Sequence, residues 1–369
     1  MGVSNSALLD LISTTLSAYP LSPDFVLTQK YQNYMVFDNW GKKDKKKIQA
    51  GNSVVWNILV KDSGAAEQVQ QYATYTGSVV NTQTQATAPW TYLQTAYHIE
   101  RREILQNRKP ARLVELLQSR RVGAIMDAAN LLEEKAWTPL ATNTTTIDPY
   151  SIPYWIVSPV AAASAGFNGT LPYAVDGSLF TTCAGIDAST AANLRWRNYN
   201  VISGTTDGTI IDTEIDKLTE MYRKMNFKSP VRFEMSAPEL QNLRIYCGNT
   251  RMGEFEKRAR QNNDNLGADI AKYQGMTLFN GVIISYVPVL DTYDAAAAAT
   301  NKTTGAYPVY FINHSAFKEV VLEGDDMRES EPIIDRDQHN VFSNFIDLTY
   351  NFMLEDRRAG GAVMSYVTT

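Results

Sequence analysis

The residues best suited to chemistry are two cysteines and three histidines, and their spacing favours neither catalysis nor metal binding. Cys183 and Cys247 lie far apart and form no Cys-x-x-Cys pair, and no ligand spacing surrounds His98, His314 or His339. A zinc site needs three or four protein ligands, and a reactive thiolate needs a base beside it. The sequence therefore predicts two buried free thiols, no metal and no cofactor.

Motifs that bind phosphate or activate a nucleophile are also missing from the sequence. It contains no GxxxxGK[ST] or GxGxxG loop and no GxSxG turn. The 39 Asp and Glu residues show no spacing that singles out an acid–base pair. We predict that the protein is not an enzyme.

A run of lysines at residues 41–47, GKKDKKK, raises the question of nucleic-acid binding. A protein that coats DNA is normally basic, whereas this chain has a formal net charge of −5, and no aromatic residues alternate with the lysines. Three interpretations stay open: a contact with an acidic neighbouring subunit, which we favour, contact with DNA, or a solvated turn. The lysines concerned are Lys42, Lys43, Lys45, Lys46 and Lys47.

Two longer segments carry opposite charge. Residues 98–121 contain seven Arg or Lys against three Glu, and residues 319–337 contain eight acids against two Arg. They are either two solvated faces or complementary surfaces of a self-assembling protein, in which charge sets register and partner choice. The candidate inter-subunit contacts in these segments are Arg101, Arg102, Arg112, Arg120 and Arg121 on the basic side and Glu323, Asp325, Asp326, Glu329 and Glu331 on the acidic side.

The first half of the chain reads as a short helix, a long hairpin and a long helix. Apolar spacing predicts a helix at 5–18, and extended patterns predict the two arms of a hairpin at 48–60 and 90–99, joined by a polar excursion. The helix over 109–139 begins with Pro110 and ends before Pro139. Its apolar stripe consists of Leu113, Leu117, Ala124, Ala128 and Leu131.

The second half mixes helices and strands, so the predicted fold class is α+β. We expect irregular structure over 140–210, a helix at 212–227, a strand at 229–236 and a helix at 238–249. A strand pair broken at Gly281 spans 278–290, extended structure follows at 308–322, and a long strand closes the chain. No apolar run reaches the roughly 20 residues of a membrane helix, so we predict no membrane partner.

The order of these segments resembles that of the tailed-bacteriophage major capsid proteins, which share the Hong Kong 97-type fold. GNSVVWNILV (51–60) and WTYLQTAYHIERREILQN (90–107) are similar to the arms of the family's extended E-loop, and residues 108–137 are similar to its spine helix. FNGTLPY (167–173) and GIDASTAANLRWRN (185–198) are similar to a motif of one branch of the family. Three late stretches resemble strands of the axial and peripheral domains: LFNGVIISYVPVL, PVYFINHSAF and NFIDLTYNFMLEDRRAGGAVM.

The resemblance implies a domain organisation. Its boundaries are an N-terminal arm at 1–38, an E-loop at 39–97, a peripheral domain at 98–204 with a spine helix at about 110–137, an axial domain at 205–320, and a return to the peripheral domain at 321–369. The lysine run would then lie where the N-arm joins the E-loop.

The resemblance also implies a function. The protein would assemble as pentamers and hexamers into an icosahedral shell around the double-stranded DNA of a tailed phage. It would be made in the bacterial host cytoplasm and reside in the virion. Its partners would be further copies of itself, a separate scaffolding protein, a portal, and packaged DNA held by weak nonspecific contacts. Because no family motif surrounds Lys61, we expect noncovalent assembly; the alternative function is a non-enzymatic DNA-binding protein that uses Lys42–Lys47.

Overall fold

The computed structural model describes residues 33–36, 45–72, 74, 80–106, 110–142, 147–159, 165–171, 180–225, 242–261, 277–295, 303–334 and 338–367. The predicted helix at 5–18 and the predicted strand at 229–236 lie outside these ranges. The chain divides into two compact units, each built from three separate segments. The first unit comprises 1–51, 90–134 and 320–350, and the second comprises 52–89, 135–319 and 351–369.

The described elements are runs of strands interrupted by a few helices, which is consistent with the predicted α+β class. The strands are β1 Lys46–Ile48, β2 Ser53–Leu59, β3 Gln83–Pro89, β4 Thr91–Glu100, β5 Gly166–Phe167, β6 Thr182–Cys183, β7 Ile186–Asp187, β8 Tyr199–Ile202, β9 Leu243–Cys247, β10 Leu278–Phe279, β11 Val282–Tyr286, β12 Ala306–Asn313, β13 Phe317–Leu322, β14 Arg328–Glu329, β15 Ile333–Ile334, β16 Val341–Leu354 and β17 Gly361–Tyr366. The helices are α1 Arg101–Gln106, α2 Pro110–Trp137, α3 Ile152–Trp155, α4 Asp212–Met225, α5 Asn249–Gln261 and α6 Arg357–Gly360, and short 3-10 turns span Ala191–Asn193 and Pro288–Tyr293.

In the first unit, the long helix α2 packs on a sheet. The helix has 28 residues and is therefore about 42 Å long. Its Leu117 and Ala124 lie in one buried cluster with Tyr97 and Ile99 of β4 and with Phe342 of β16. β4 and β16 run antiparallel over ten residue pairs, and β16 also pairs with β14 and β15. The predicted spine helix is confirmed as a helix over Pro110–Trp137.

The apolar stripe of α2 shifts by one residue toward its end. Ala128 is buried as predicted, but Leu131 is 42% exposed and Leu132 is buried instead. The side chain of Leu113 lies outside the described residues. Around an ideal helix residue 131 lies closer to residues 117 and 124 than residue 132 does, so the buried side of α2 itself changes near its end.

In the second unit, a seven-stranded mixed sheet supports two helices. Its order is β10-β11-β9-β12-β17-β8-β5, and every residue of β12 is buried. α4 contributes Leu218, Met221 and Met225 to the core between helix and sheet. Acidic residues occupy its first turn and basic residues its last turn, which suits the helix dipole. The helix at 212–227 is confirmed over its described residues, Asp212–Met225.

A two-residue turn joins β10 to β11. Asn280 and Gly281 both have positive φ, 49° and 80°, and Phe279 pairs directly with Val282. Asn-Gly is the preferred pair for such a type I′ hairpin, because both central residues must adopt left-handed conformations. The predicted break of this strand pair at Gly281 is confirmed.

A buried histidine lies on the same sheet, just after β12. The Nε2 atom of His314 is 2.6 Å from the hydroxyl of Tyr246. Burial, with a smaller contribution from Arg244, lowers the pKa of His314 to about 4. The ring is therefore neutral near pH 7, which matches an apolar surrounding.

Two predicted elements are wrong. Residues 90–99 do not form the second arm of the hairpin: they are β4 of the first unit, and β2 pairs with β3 instead. Residues 238–249 were expected to be a helix, but 243–247 form the buried strand β9 and the helix α5 begins at Asn249. In both cases pairing with distant strands overrides the local pattern.

Candidate interaction surfaces

The part of the lysine run that the structure describes forms an edge strand of the first unit. β1 pairs in parallel with β13, with Lys47 opposite Val321. The Nζ atom of Lys45 lies 2.6 Å from Oδ1 of Asp326, and that of Lys47 lies 3.8 Å from Oδ2 of the same carboxylate. The acidic segment expected to attract the run therefore binds it within one chain.

A second contact joins the basic and acidic segments inside the first unit. The Arg121 guanidinium lies 2.6 Å from the Glu329 carboxylate, and the hydroxyl of Tyr97 donates a 2.5 Å hydrogen bond to the same group. Burial and the neighbouring Glu329 raise the pKa of Tyr97, so the phenol stays protonated and acts as donor. This triad (Tyr97, Arg121 and Glu329) links α2, β4 and β14.

Other candidate residues bind further partners within the first unit. Arg120 contacts Glu103 at 2.8 Å, and Arg102 contacts Glu100 at 3.8 Å. The Asp325 carboxylate accepts a bond from the hydroxyl of Thr349 and lies 3.5 Å from Arg328. The backbone N–H groups of Arg101 and Glu323 bond to Asn340 and Ile48, and Glu331 is exposed.

Three candidate residues lie outside this description: Lys42, Lys43 and the side chain of Arg112. For the rest, the structure brings Lys45 and Lys47 to Asp326 and Arg121 to Glu329, whereas Arg102 and Arg120 stay with neighbouring glutamates. A role for these residues between subunits stays a prediction.

The hairpin of β2 and β3 is separate from the seven-stranded sheet of the second unit. The two strands form a separate two-stranded sheet, from Ser53 opposite Pro89 to Leu59 opposite Gln83. At its base Val54 and Ala88 are buried, whereas Val55 and Leu59 on the other face are 43% and 49% exposed. A two-stranded sheet is marginally stable alone, so its outer half gains most from a further partner.

The described part of FNGTLPY, residues 167–171, and the motif GIDASTAANLRWRN come together beside the hairpin. Gly169 lies against the carbonyl of Ala188, where an added Cβ would be only 2.2 Å from the oxygen. Arg197 donates to that same carbonyl at 2.8 Å, and the guanidinium of Arg358 lies over the ring of Phe167, 4.5 Å from its centre. The motif residues thus build one compact corner of the second unit.

From this corner, Arg195 reaches the hairpin. Its two terminal nitrogens bind the two oxygens of Asp62, one at 2.9 Å and the other closer. The pKa of Asp62 is lowered by this hydrogen bond and by the charge of Arg195. Such a two-pronged contact fixes orientation as well as distance.

A buried arginine organises the same unit. Arg357 is fully buried and donates to the carbonyls of Trp155 and Trp196, each at 3.1 Å, and to Asn198 Oδ1 at 2.8 Å. Cys183 is buried close by, and burial raises the pKa of its thiol. Cys247 is buried as well, and both cysteines are free, as predicted.

The described residues contain no group of three or more His, Cys, Asp or Glu placed to hold a metal ion. A cleft of about 350 Å³ in the first unit is lined by His98, Glu103 and Arg120. The Nδ1 atom of His98 lies 2.8 Å from the hydroxyl of Ser343, but Ser343 is only 3% exposed. A hydrogen bond to a buried hydroxyl is typical of a structural role. Within the described ranges, no helix is long and apolar enough to cross a membrane.

Sequence reasoning did not identify Tyr97, Asp62, Arg195 or Arg358. A signal existed for Arg195, because the stretch LRWRN places two arginines around a tryptophan within a quoted motif. Its partner Asp62 lies 133 residues away in sequence, and no spacing rule connects the two.

No family model matches the chain, and no curated protein does. Solved structures do match over nearly the whole chain. The capsid asymmetric unit of cyanophage A-1(L) is 12% identical, with a TM-score of 0.58 over 95% of this chain and 97% of that one. The capsid of a native GTA particle is 10% identical, with a TM-score of 0.56 over 95% of both chains, and the capsid of cyanophage P-SCSP1u is 13% identical, with a TM-score of 0.52 over 95% of this chain and 93% of that one. The chain therefore has the fold of the phage capsid proteins, as the order of its segments indicates.

Proposed function

We propose that this protein is a major capsid protein that assembles as pentamers and hexamers into an icosahedral shell around the DNA of a tailed phage. The observation that carries the proposal is the agreement in fold with phage capsids over 95% of the chain. On this reading the domain boundaries predicted from the sequence are arm 1–38, E-loop 39–97, peripheral domain 98–204 and 321–369, and axial domain 205–320, with the hairpin of the E-loop formed by β2 and β3 and not by residues 90–97. The role is structural and involves no catalysis.

The hairpin supports this function. A two-stranded sheet with exposed apolar side chains at Val55 and Leu59 lacks a core of its own on that face. A neighbouring subunit can supply this core, and the many modest contacts of a closed shell then add through multivalency.

The lysine run also fits a shell better than a DNA-binding protein. Lys45 and Lys47 lie against Asp326, which reduces the positive charge available to phosphates. Contact with packaged DNA is then weak and nonspecific, and the scaffolding protein and the portal are separate chains.

Electron microscopy of the purified protein tests the proposal. We expect closed shells or regular capsomers, and on a denaturing gel only the single-chain band, since assembly is noncovalent. Leu59→Asp should abolish assembly while the unassembled chain keeps its circular dichroism spectrum, because residue 59 is exposed. Leu59→Val, which keeps an apolar surface, should still assemble.

A monodisperse monomer that shifts DNA under every condition would instead support the DNA-binding alternative. A ladder of high-mass species on the gel would contradict noncovalent assembly alone.

A further inference from the structure

The base of the hairpin is held by burial and by two hydrogen bonds. Thr87 N–H donates to the carbonyl of Ala184 at 2.9 Å, and the side chain of Asn351 donates to the carbonyl of Pro89 at 2.6 Å. The rings of Trp56 and Trp155 lie with their centres 6.0 Å apart. All of these contacts lie in the half of the hairpin near residues 54–56 and 86–89.

Beyond this base the described residues of the hairpin are mostly exposed or half-buried, apart from the buried Val60, and they make one charged contact. Strand pairing ends at Leu59 and Gln83, and one more backbone bond joins Val60 to Thr82. Asp62 lies two residues further and binds Arg195 through both carboxylate oxygens. This pair therefore acts at the point where the chain leaves the paired strands.

Other charges around Arg195 make Asp62 the fitting partner. Arg195 and Arg197 both act on Arg358 as like charges, whereas the carboxylate of Asp356 attracts Arg358 and Arg195. The Asp356 carboxylate is already engaged, because it caps α6 by accepting from the N–H groups of Arg358 and Ala359. A further carboxylate offsets the remaining positive charge of this corner, and the hairpin supplies it.

We propose that Arg195 is a positioning residue for the hairpin. By binding both carboxylate oxygens of Asp62, it sets the direction in which the chain leaves β2 before any other copy is bound. The importance of that direction for assembly rests on the proposed function. The ion pair between Arg195 and Asp62 is a property of the single chain, and its effect can be measured without a shell.

Hydrogen exchange on the unassembled protein tests whether the Arg195–Asp62 ion pair holds the hairpin in place. Arg195→Ala and Asp62→Ala should each raise exchange about threefold in peptides covering 53–62 and 82–89, the size expected for a well-aligned exposed pair. Exchange in α4, within the same unit, should not change. Arg195→Lys keeps the charge but cannot bind both oxygens, so it should give an intermediate increase.

Two further variants separate positioning from a general loss of stability. The swap Asp62→Arg with Arg195→Asp should bring exchange in the hairpin back toward the wild-type rate. Glu254→Ala breaks another exposed pair of the second unit, Glu254 with Lys257, and should leave the hairpin unaffected. Unchanged hairpin exchange in Arg195→Ala, an equal increase in α4, or failure of the swap to restore protection would each overturn the proposal.

Particle formation then separates this inference from the proposed function. If the exchange results hold but the wild-type chain never forms particles, the capsid function fails and the positioning role stands. If particles form normally and Arg195→Ala leaves exchange unchanged, the positioning role fails alone.

Discussion

The Tyr97, Arg121 and Glu329 triad offers a quantitative test of where the charge complementarity acts. Glu329→Gln keeps the shape of the side chain and one acceptor oxygen but removes its charge. Charged hydrogen bonds are about twice as strong as neutral ones, and each contributes about 1.5–3 kcal/mol. Weakening the contacts of Glu329 with Tyr97 and Arg121 should therefore lower the local stability by about 2 kcal/mol. Water screens the charges only weakly, because the side chains of Arg121 and Glu329 are each 22% exposed.

The assay is hydrogen exchange in the unassembled chain, which reports local opening. A loss of about 2 kcal/mol corresponds to about 30-fold faster exchange for amides of α2 and β4 around the triad. Arg102→Gln is the matched control, because Arg102 is 75% exposed and its ion pair with Glu100 spans 3.8 Å. That variant should change exchange by less than about twofold.

A double-mutant cycle with Tyr97→Phe isolates one contact of the triad. Because Tyr97 donates to Glu329, the two substitutions together should cost about 1 kcal/mol less than the sum of the single changes. If Glu329→Gln leaves exchange in the free chain unchanged but prevents particle formation, the intrachain reasoning is refuted. Glu329 would then act between subunits, as the charge pattern first predicted.

Two more predictions concern the second unit. The pKa of His314 is lowered to about 4 by burial, so the unfolded chain binds more protons than the folded chain between about pH 6.5 and 4. The free energy of unfolding, measured with urea, should fall by about 2–3 kcal/mol from about pH 7.5 to 4.5, and a His314→Gln variant with the same fall would disprove this. Gly305 has a φ of +66°, and a Cβ added to it would lie only 2.6 Å from Oγ of Ser365. Gly64 has nearly the same φ, +65°, but a Cβ added there would meet no atom within 4 Å. Gly64→Ala should lower the free energy of unfolding by about 1 kcal/mol, and Gly305→Ala should lower it clearly more, as measured by calorimetry. Equal losses of stability would contradict the steric argument.

Local signals were enough where an element is specified by its own residues. Pro110 and Pro139 bracket α2, and Asn280 with Gly281 specifies the turn between β10 and β11. These features depend on backbone geometry within a few residues, so a single sequence contains the information.

Pairing between distant segments could not be predicted in this way. β3 reads QTQATAP, a polar stretch with weak strand preference, whereas the stronger pattern at 90–99 belongs to β4. What makes β3 a strand is its ladder with β2 and the burial of Ala86 and Ala88. The same limit applies to the candidate site: the opposite charges at 98–121 and 319–337 were visible, but not that Arg121 and Glu329 meet within one chain.

The interleaving of the two units has a consequence for synthesis on the ribosome. The first unit needs residues 320–350, and the second needs residues 351–369, including β17, which lies between β12 and β8. Since chains emerge from the N-terminus, the first core cannot close before residues 320–350 have emerged, and the second cannot close before residues 351–369 have emerged. Nascent chains therefore carry unfinished cores, and the apolar surfaces of both units stay open until residues 351–369 have emerged. Truncation after residue 350 removes β17 from the sheet. The truncated protein should therefore fail to fold and should remain bound to chaperones.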